Sequence, residues 1–195
     1  MFVRSRFLIF AALVSAMLPL QAQAQSQQKF TGLRIQAHAG YDNLTASAPG
    51  VERESIDSGV SYGGVIGYDF ISAIWVIGIE AYGEKAAIDR TEMDGATTAR
   101  FTTGRDLGAG LRIGLPISSN ILAFARGGYS NIQTDVEFTG GLVAEASETL
   151  NGWRIGGGLE VYLSKSFFVS AEYRFTDYEG SLIRHNAIGS IGFRF

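Results

Sequence analysis

The sequence contains no cysteine. That excludes disulfide frameworks, thiol nucleophiles, cysteine-ligated metal sites and the lipidated cysteine that anchors bacterial lipoproteins. Proline is scarce, with 3 residues in 195, and one of these lies in the leader described below. No proline-rich linker divides the chain, so one domain is expected. No apolar run reaches the roughly 20 residues that a transmembrane helix needs. Positive charge is also in deficit, 16 Lys and Arg against 19 Asp and Glu. Without a basic face or a basic-aromatic groove, no nucleic-acid partner is expected.

Glycine is abundant, at 25 residues, and aromatics make up 12%. Glycine is a poor helix former and weakens ordinary strands, so an architecture of long strands with tight interior packing must tolerate it. The chain begins MFVRSRFLIFAALVSAMLPLQAQAQ. Arg4 and Arg6, the apolar run Phe7 to Leu20, and the small-x-small signal Ala22-Gln23-Ala24 predict a cleaved secretory signal peptide over residues 1–24. Residues 25–195 then form the mature domain, with a net charge of about −5.

The stretch LRIQAHAGYD, Leu33 to Asp42, alternates apolar and polar residues with period two, which is strand periodicity. Eight such segments follow the leader: Thr31 to Asp42, Gly59 to Phe70, Ile74 to Lys85, Phe101 to Leu115, Ile121 to Ser130, Gly152 to Leu163, Phe167 to Tyr178 and Asn186 to Phe195. Their connections alternate in length. Ile71 to Ala73, Pro116 to Asn120 and Ser164 to Ser166 are short; Asn43 to Ser58, Ala86 to Arg100, Asn131 to Asn151 and Glu179 to His185 are longer and polar. Short turns at one end and long loops at the other are the mark of an up-and-down meander whose ends face different compartments.

On the apolar parity the aromatics sort to strand ends. Tyr41, Tyr62, Phe101, Tyr129, Trp153, Tyr173 and Phe175 fall toward the long links; Tyr68, Phe70, Trp75, Phe167, Phe193 and Phe195 fall toward the short turns. Smaller residues such as Ile35, Ala37, Ile79, Leu111 and Ile191 lie between. Two aromatic belts around an aliphatic band describe a membrane face, whereas a water-soluble sandwich would centre its large rings in a core.

The opposite parity carries Arg34, His38, Asp69, Glu80, Glu84, Asp106, Arg112, Arg126, Arg154, Glu160, Glu172, Arg174 and Arg194. Six arginines against six carboxylates can neutralise one another inside a closed eight-stranded cylinder, whose lumen is just wide enough for side chains to fill. Glycines beside them make room for the guanidinium groups. The sequence therefore predicts an all-β, eight-stranded antiparallel up-and-down transmembrane β-barrel in the cell outer membrane. It would have long extracellular loops, short periplasmic turns and a lumen network made of those twelve charges. A register slip of one residue would send Arg34 and Arg112 into hydrocarbon at about 2 to 4 kcal/mol apiece.

The ending AIGSIGFRF resembles the signal by which outer-membrane barrels are presented to the barrel assembly machinery, with Phe193 and Phe195 as its aromatic residues. The stretches WVIGIEAYGE, GLRIGLPISSNILAFARGGYS and WRIGGGLEVYLSKSFFVSAEYRF resemble the small opacity-type, porin-like outer-membrane proteins of Gram-negative bacteria. The resemblance covers residues 30 to 195. It implies an eight-stranded barrel with surface-exposed loops. The partners expected for such a barrel are outer-membrane lipid and lipopolysaccharide, the barrel assembly machinery, and a surface ligand met by the loops.

A reaction is not implied. Some barrels of this size modify lipid A, which requires a serine activated by histidine and a carboxylate. Of the two histidines, His38 is on the inward parity, and His185 lies in RHNAIGS, where Ala187 stands in the place of the serine such a deacylase needs. Gly108 to Gly114 approaches a dinucleotide fingerprint but has its last glycine one position late and no following helix. Glu92, Asp94, Asp135, Glu137, Glu145 and Glu148 lack the spacing of a calcium loop. No catalytic residue, cofactor or metal site is expected. The function read from the sequence is a non-enzymatic structural or surface-interaction barrel; the alternatives are a narrow channel and, behind it, a lipid A-modifying enzyme.

Overall fold

The computed structural model describes residues 28–46, 54–87, 89–94, 97–139, 144–180 and 182–195, with side chains over 29–45, 58–85, 104–133, 149–180 and 182–195. The leader read over residues 1–24 lies outside them. A 3-10 turn (Gln28–Phe30) leads into nine strands: β1 (Gly32–Ala46), β2 (Glu54–Ser72), β3 (Trp75–Ala87), β4 (Asp89–Asp94), β5 (Thr97–Pro116), β6 (Ile121–Thr139), β7 (Ala144–Tyr162), β8 (Phe167–Tyr178) and β9 (Leu182–Arg194). Every pairing is antiparallel, in the order β3-β2-β1-β9-β8-β7-β6-β5-β4. Strand β3 also pairs with β5, over Arg105 to Gly114, and β4 continues along β5 over Thr97 to Thr102. Strands β3 and β4 are thus one stave, and the sheet closes as an eight-stranded barrel. Closure removes the unpaired edges that hydrocarbon could not solvate.

The two parities separate cleanly. Ile79 and Leu111, opposite each other across β3 and β5, are 60% and 64% exposed, whereas Arg34 and Asp69 are fully buried. An apolar exterior over a charged interior inverts the arrangement of a water-soluble protein and suits a molecule whose solvent is lipid. Tyr41, Tyr62, Tyr129, Trp153 and Tyr173 are exposed toward the long links, and Tyr68, Phe70, Trp75 and Phe193 toward the short turns. Phe167 and Phe175 are half-buried because each leans on a neighbour: Phe167 on Phe193 at 5.1 Å between ring centroids, Phe175 on Trp153 at 5.4 Å. The Phe101 side chain lies outside the described residues.

The short turns fall where the spacing puts them, at Ala73 to Ile74, Ile117 to Asn120 and Leu163 to Ser166. Ala73 adopts φ 57, a conformation that two-residue hairpin turns usually assign to glycine.

The long links require a correction. Most of Asn131 to Asn151 is strand, since β6 runs to Thr139 and β7 starts at Ala144. Ala86 to Arg100 contains β4, β1 runs on to Ala46, β2 starts at Glu54, and β9 starts at Leu182 rather than Asn186. Alternation marks a strand only where its two faces meet different surroundings. Beyond the membrane both faces meet water, so the backbone ladder continues while the side-chain period fades. Both register shifts, at Leu44/Thr45 and Thr103/Asp106, also lie on this side.

Candidate functional site

The inward side chains form two layers. Nearest the short turns, Phe30, Val76, Leu122, Tyr162 and Phe168 make a buried apolar floor. Phe30 comes from the 3-10 turn, which tucks under the barrel. Its ring meets Tyr162 edge-on at 5.1 Å, its carbonyl accepts a hydrogen bond from Arg194, and Lys29 Nζ donates to Asn120 Oδ1 at 2.7 Å. This floor is additional to the twelve charges read from the sequence as the lumen network. Val76, Leu122, Tyr162 and Phe168 share the parity of the charges and sit at the turn end of their strands, and that position was the available signal.

Above the floor lies the charge network. All twelve residues named from the sequence, Arg34, Asp69, Glu80, Glu84, Asp106, Arg112, Arg126, Arg154, Glu160, Glu172, Arg174 and Arg194, are buried in this lumen. The sequence reading missed Asp42 and Arg184, which are also buried here and paired to each other. Arg184 keeps the even parity of Asn186, Ser190 and Arg194, so carrying the last strand back one step would have found it. Among the described residues, seven arginines thus face seven carboxylates, and all fourteen join in one chain of ion pairs.

Near the long links, Arg184 bridges Asp42, Glu84 and Asp106, and Arg154 pairs with Asp106. Tyr178 and Ser130 donate to the Asp106 carboxylate, at 2.9 and 2.6 Å. Arg174 then connects Glu84, at 3.0 Å, to Glu172, at 2.7 Å. Arg126 carries the path from Glu172, at 3.1 Å, to Glu80, at 3.0 Å. Its Nε and Nη1 make these approaches without hydrogen-bond alignment, and its guanidinium lies 5.1 Å from the Phe124 ring. Below, Arg34 joins Glu80 to Asp69, and Arg112 and Arg194 each join Asp69 to Glu160.

Burying an unpaired ion costs several kcal/mol, so such a set is tolerable only when its charges balance and each member has an oppositely charged neighbour. Glycine supplies the space. A Cβ at Gly67 would stand 3.0 Å from Arg34 Nη2, and one at Gly156 would stand 2.8 Å from Glu172 Oε1 and 3.0 Å from Arg174 Cγ.

The two histidines are on opposite faces of the wall. His38 Nε2 is 3.2 Å from Glu84 Oε2 in the lumen, and His185 Nδ1 is 2.7 Å from the Tyr173 hydroxyl on the outside. The acidic link residues weighed for cations, from Glu92 to Glu148, lie outside the described side chains. Phe193 and Phe195, read as an assembly signal, are both exposed, and Phe195 N donates to Leu33 O at 2.9 Å.

With a lipid-facing exterior and a salt-bridged interior on the same closed sheet, the sequence comparison is direct. Residues 10–195 match the model of the outer membrane protein beta-barrel domain. This chain belongs to that family. It is an integral β-barrel of the bacterial outer membrane. Among solved structures the barrel is similar to Ail, the attachment invasion locus protein of Yersinia pestis, in complex with the heparin analogue sucrose octasulfate. The identity is 12%, over 84% of this chain and 99% of that one, with a TM-score of 0.57. It is also similar to Neisserial surface protein A, at 13% identity over 85% of this chain and 98% of that one, TM-score 0.55. No curated protein matches the sequence. At these identities the likeness is one of fold.

Proposed function

We propose that this outer-membrane barrel is a non-conducting, non-enzymatic scaffold that holds a surface-interaction region above the membrane. The single observation that carries the first half is the filled lumen. An apolar floor and fourteen neutralised charges occupy the only route through an eight-stranded cylinder of this size. The channel alternative needs a continuous water path, and the ionic groups that would line one are bound to each other. Recording in planar lipid bilayers tests this reading: no steady unitary current is expected, and reproducible ion-selective openings of the unmodified protein would overturn it.

The second half rests on strand length. A membrane-spanning strand needs about 9 to 11 residues, yet β2, β6 and β7 each have 19 and β5 has 20. The excess lies beyond the belt of Tyr129 and Trp153, so the hairpins project outward as stiff, paired ribbons. In sequence, the long links and the strand ends beside them carry twelve acidic residues besides the seven of the lumen network: Glu52, Glu54, Asp57, Asp89, Glu92, Asp94, Asp135, Glu137, Glu145, Glu148, Asp177 and Glu179. Five basic residues oppose them: Arg53, Lys85, Arg90, Arg100 and Arg105. An acidic crown repels polyanions. The polysulfated ligand of the Ail complex is therefore not the kind this surface takes, and the purified barrel is expected to pass unretained through immobilised heparin at low ionic strength.

Against an enzymatic role, His38 Nδ1 has no hydrogen-bond partner among the described residues, Ser190 across from it accepts instead from Gln36 Nε2 at 3.4 Å, and His185 Nδ1 bonds the Tyr173 hydroxyl. Mass spectra of lipid A from cells with and without the protein should be identical. Outer-membrane lipid and lipopolysaccharide would then be its surroundings rather than its substrates. Phe193 and Phe195 would serve its delivery to the assembly machinery.

A further inference from the structure

A concavity of about 420 Å³ opens on the outer wall at the belt nearest the long links, lined by Tyr129, Asn151, Trp153, Asp177 and Glu179. The ladder registers explain the grouping. Tyr129 lies directly across from Trp153, and Trp153 directly across from Asp177, so the two rings and the carboxylate form one row on one face. In the next row outward Asn131 faces Asn151, its amide donating to Asn151 Oδ1 at 2.8 Å, while Glu179 N donates to the Asn151 carbonyl at 2.8 Å. Phe175 supports the indole from the membrane side, 5.4 Å between centroids.

Tyrosine and tryptophan alone would be ordinary interfacial anchors. The carboxylates beside them are not, because neither Asp177 nor Glu179 has a cationic partner among the described residues. An anionic phosphate headgroup would be repelled from this spot. Exposed ring faces suit the C–H face of a flat saturated ring, and a carboxylate with a fixed carboxamide beside it suits vicinal hydroxyls, the charged acceptor forming the stronger bonds. The height on the wall is that of lipid headgroups. We propose that this concavity seats the neutral hexose ring of an outer-leaflet glycolipid, stacked on Trp153 and Tyr129 and hydrogen-bonded to Asp177 and Asn151. The seat rests on the outer-membrane location and is independent of whether the lumen conducts.

The chain has two tryptophans, Trp75 and Trp153, at opposite belts, so Trp75→Phe leaves Trp153 as the sole reporter. The mature Trp75→Phe protein is reconstituted in vesicles of phosphatidylcholine alone, with a monohexosyl diacylglycerol added, or with phosphatidylglycerol added. Trp153 emission is expected to shift, and its quenching by acrylamide to fall about twofold, with the hexosyl lipid and with neither other composition. Asp177→Ala should raise the hexosyl-lipid fraction needed for half the response about tenfold, the worth of one hydrogen bond to a charged group, with heat-modifiable gel migration confirming an intact barrel. An equal response to plain or phosphatidylglycerol vesicles, or no effect of Asp177→Ala, overturns the proposal. A response to soluble maltotriose as strong as to the lipid overturns the glycolipid as source. Should Trp75→Phe fail to fold, the unmodified chain compared with Trp153→Phe isolates the same signal.

Discussion

Arg174 on β8 reaches across the lumen to Glu84 on β3, its Nη1 donating to Oε2 at 3.0 Å. The two strands are not neighbours in the sheet, so this contact spans the interior. It also connects the charge cluster near the long links to Glu172, Arg126 and Glu80 beneath it. Glu84→Ala leaves Arg154, Arg174 and Arg184 short of a shared counter-ion and should cost about 3 to 5 kcal/mol. Urea titration in lipid vesicles, followed by gel migration before and after heating, checks this through a lowered midpoint. Glu84→Gln, which keeps an acceptor, should fall between the two.

The glycines of the wall should divide by the face they present. Gly156→Ala pushes a methyl against Glu172 and the Arg174 stem and should cost about 1 to 3 kcal/mol, the usual range for overpacking. Gly189, on the outer face, has nothing within 4 Å of an added Cβ. Gly189→Ala should be nearly neutral in the same titration, and equal losses at both sites would contradict the assignment of faces.

Lysine scanning of the exterior measures its solvent. Leu111 and Leu163 are almost equally exposed, at 64% and 63%, but one is mid-strand and the other is in the β7–β8 turn. Leu111→Lys should cost about 2 to 4 kcal/mol and Leu163→Lys about 0 to 1, following depth in the bilayer. In a water-facing wall both would cost little.

The floor and the network should contribute separately. Phe30→Ala removes a fully buried ring from its contacts with Tyr162 and should lower stability by about 3 to 5 kcal/mol. Its bilayer recordings should stay silent, because the ion pairs above the floor are untouched. Openings in Phe30→Ala would identify the floor as the barrier.

The membrane-embedded half of the fold was legible because its two faces sit in opposite solvents, which stamps period two on residues such as Leu33 to Asp42. The same contrast made the inward charges readable from Arg34 to Arg194. Legibility stopped where the contrast stopped. Beyond the aromatic belt, Asn131 to Thr139 is still strand but is wet on both sides, and Arg184 was lost with the end of the strand that carries it. The floor escaped for a different reason. Leu122 and Phe168 are apolar on a parity that is otherwise ionic, so a rule that sorts faces by polarity sets them aside, and Phe30 enters from outside any strand. The hexose seat could not be foreseen either, since Tyr129, Trp153 and Asp177 meet only through the registers of two ladders.

The unbroken path from Asp42 to Glu160 also constrains descent. Exchanging any one ionic member upsets the balance of seven arginines against seven carboxylates, so drift inside the cylinder should proceed by compensating swaps between staves, while the greasy coat changes one position at a time. Lineages of this barrel would therefore inherit complementarity rather than particular letters, and correlated exchange between positions such as 84 and 174 would be its signature.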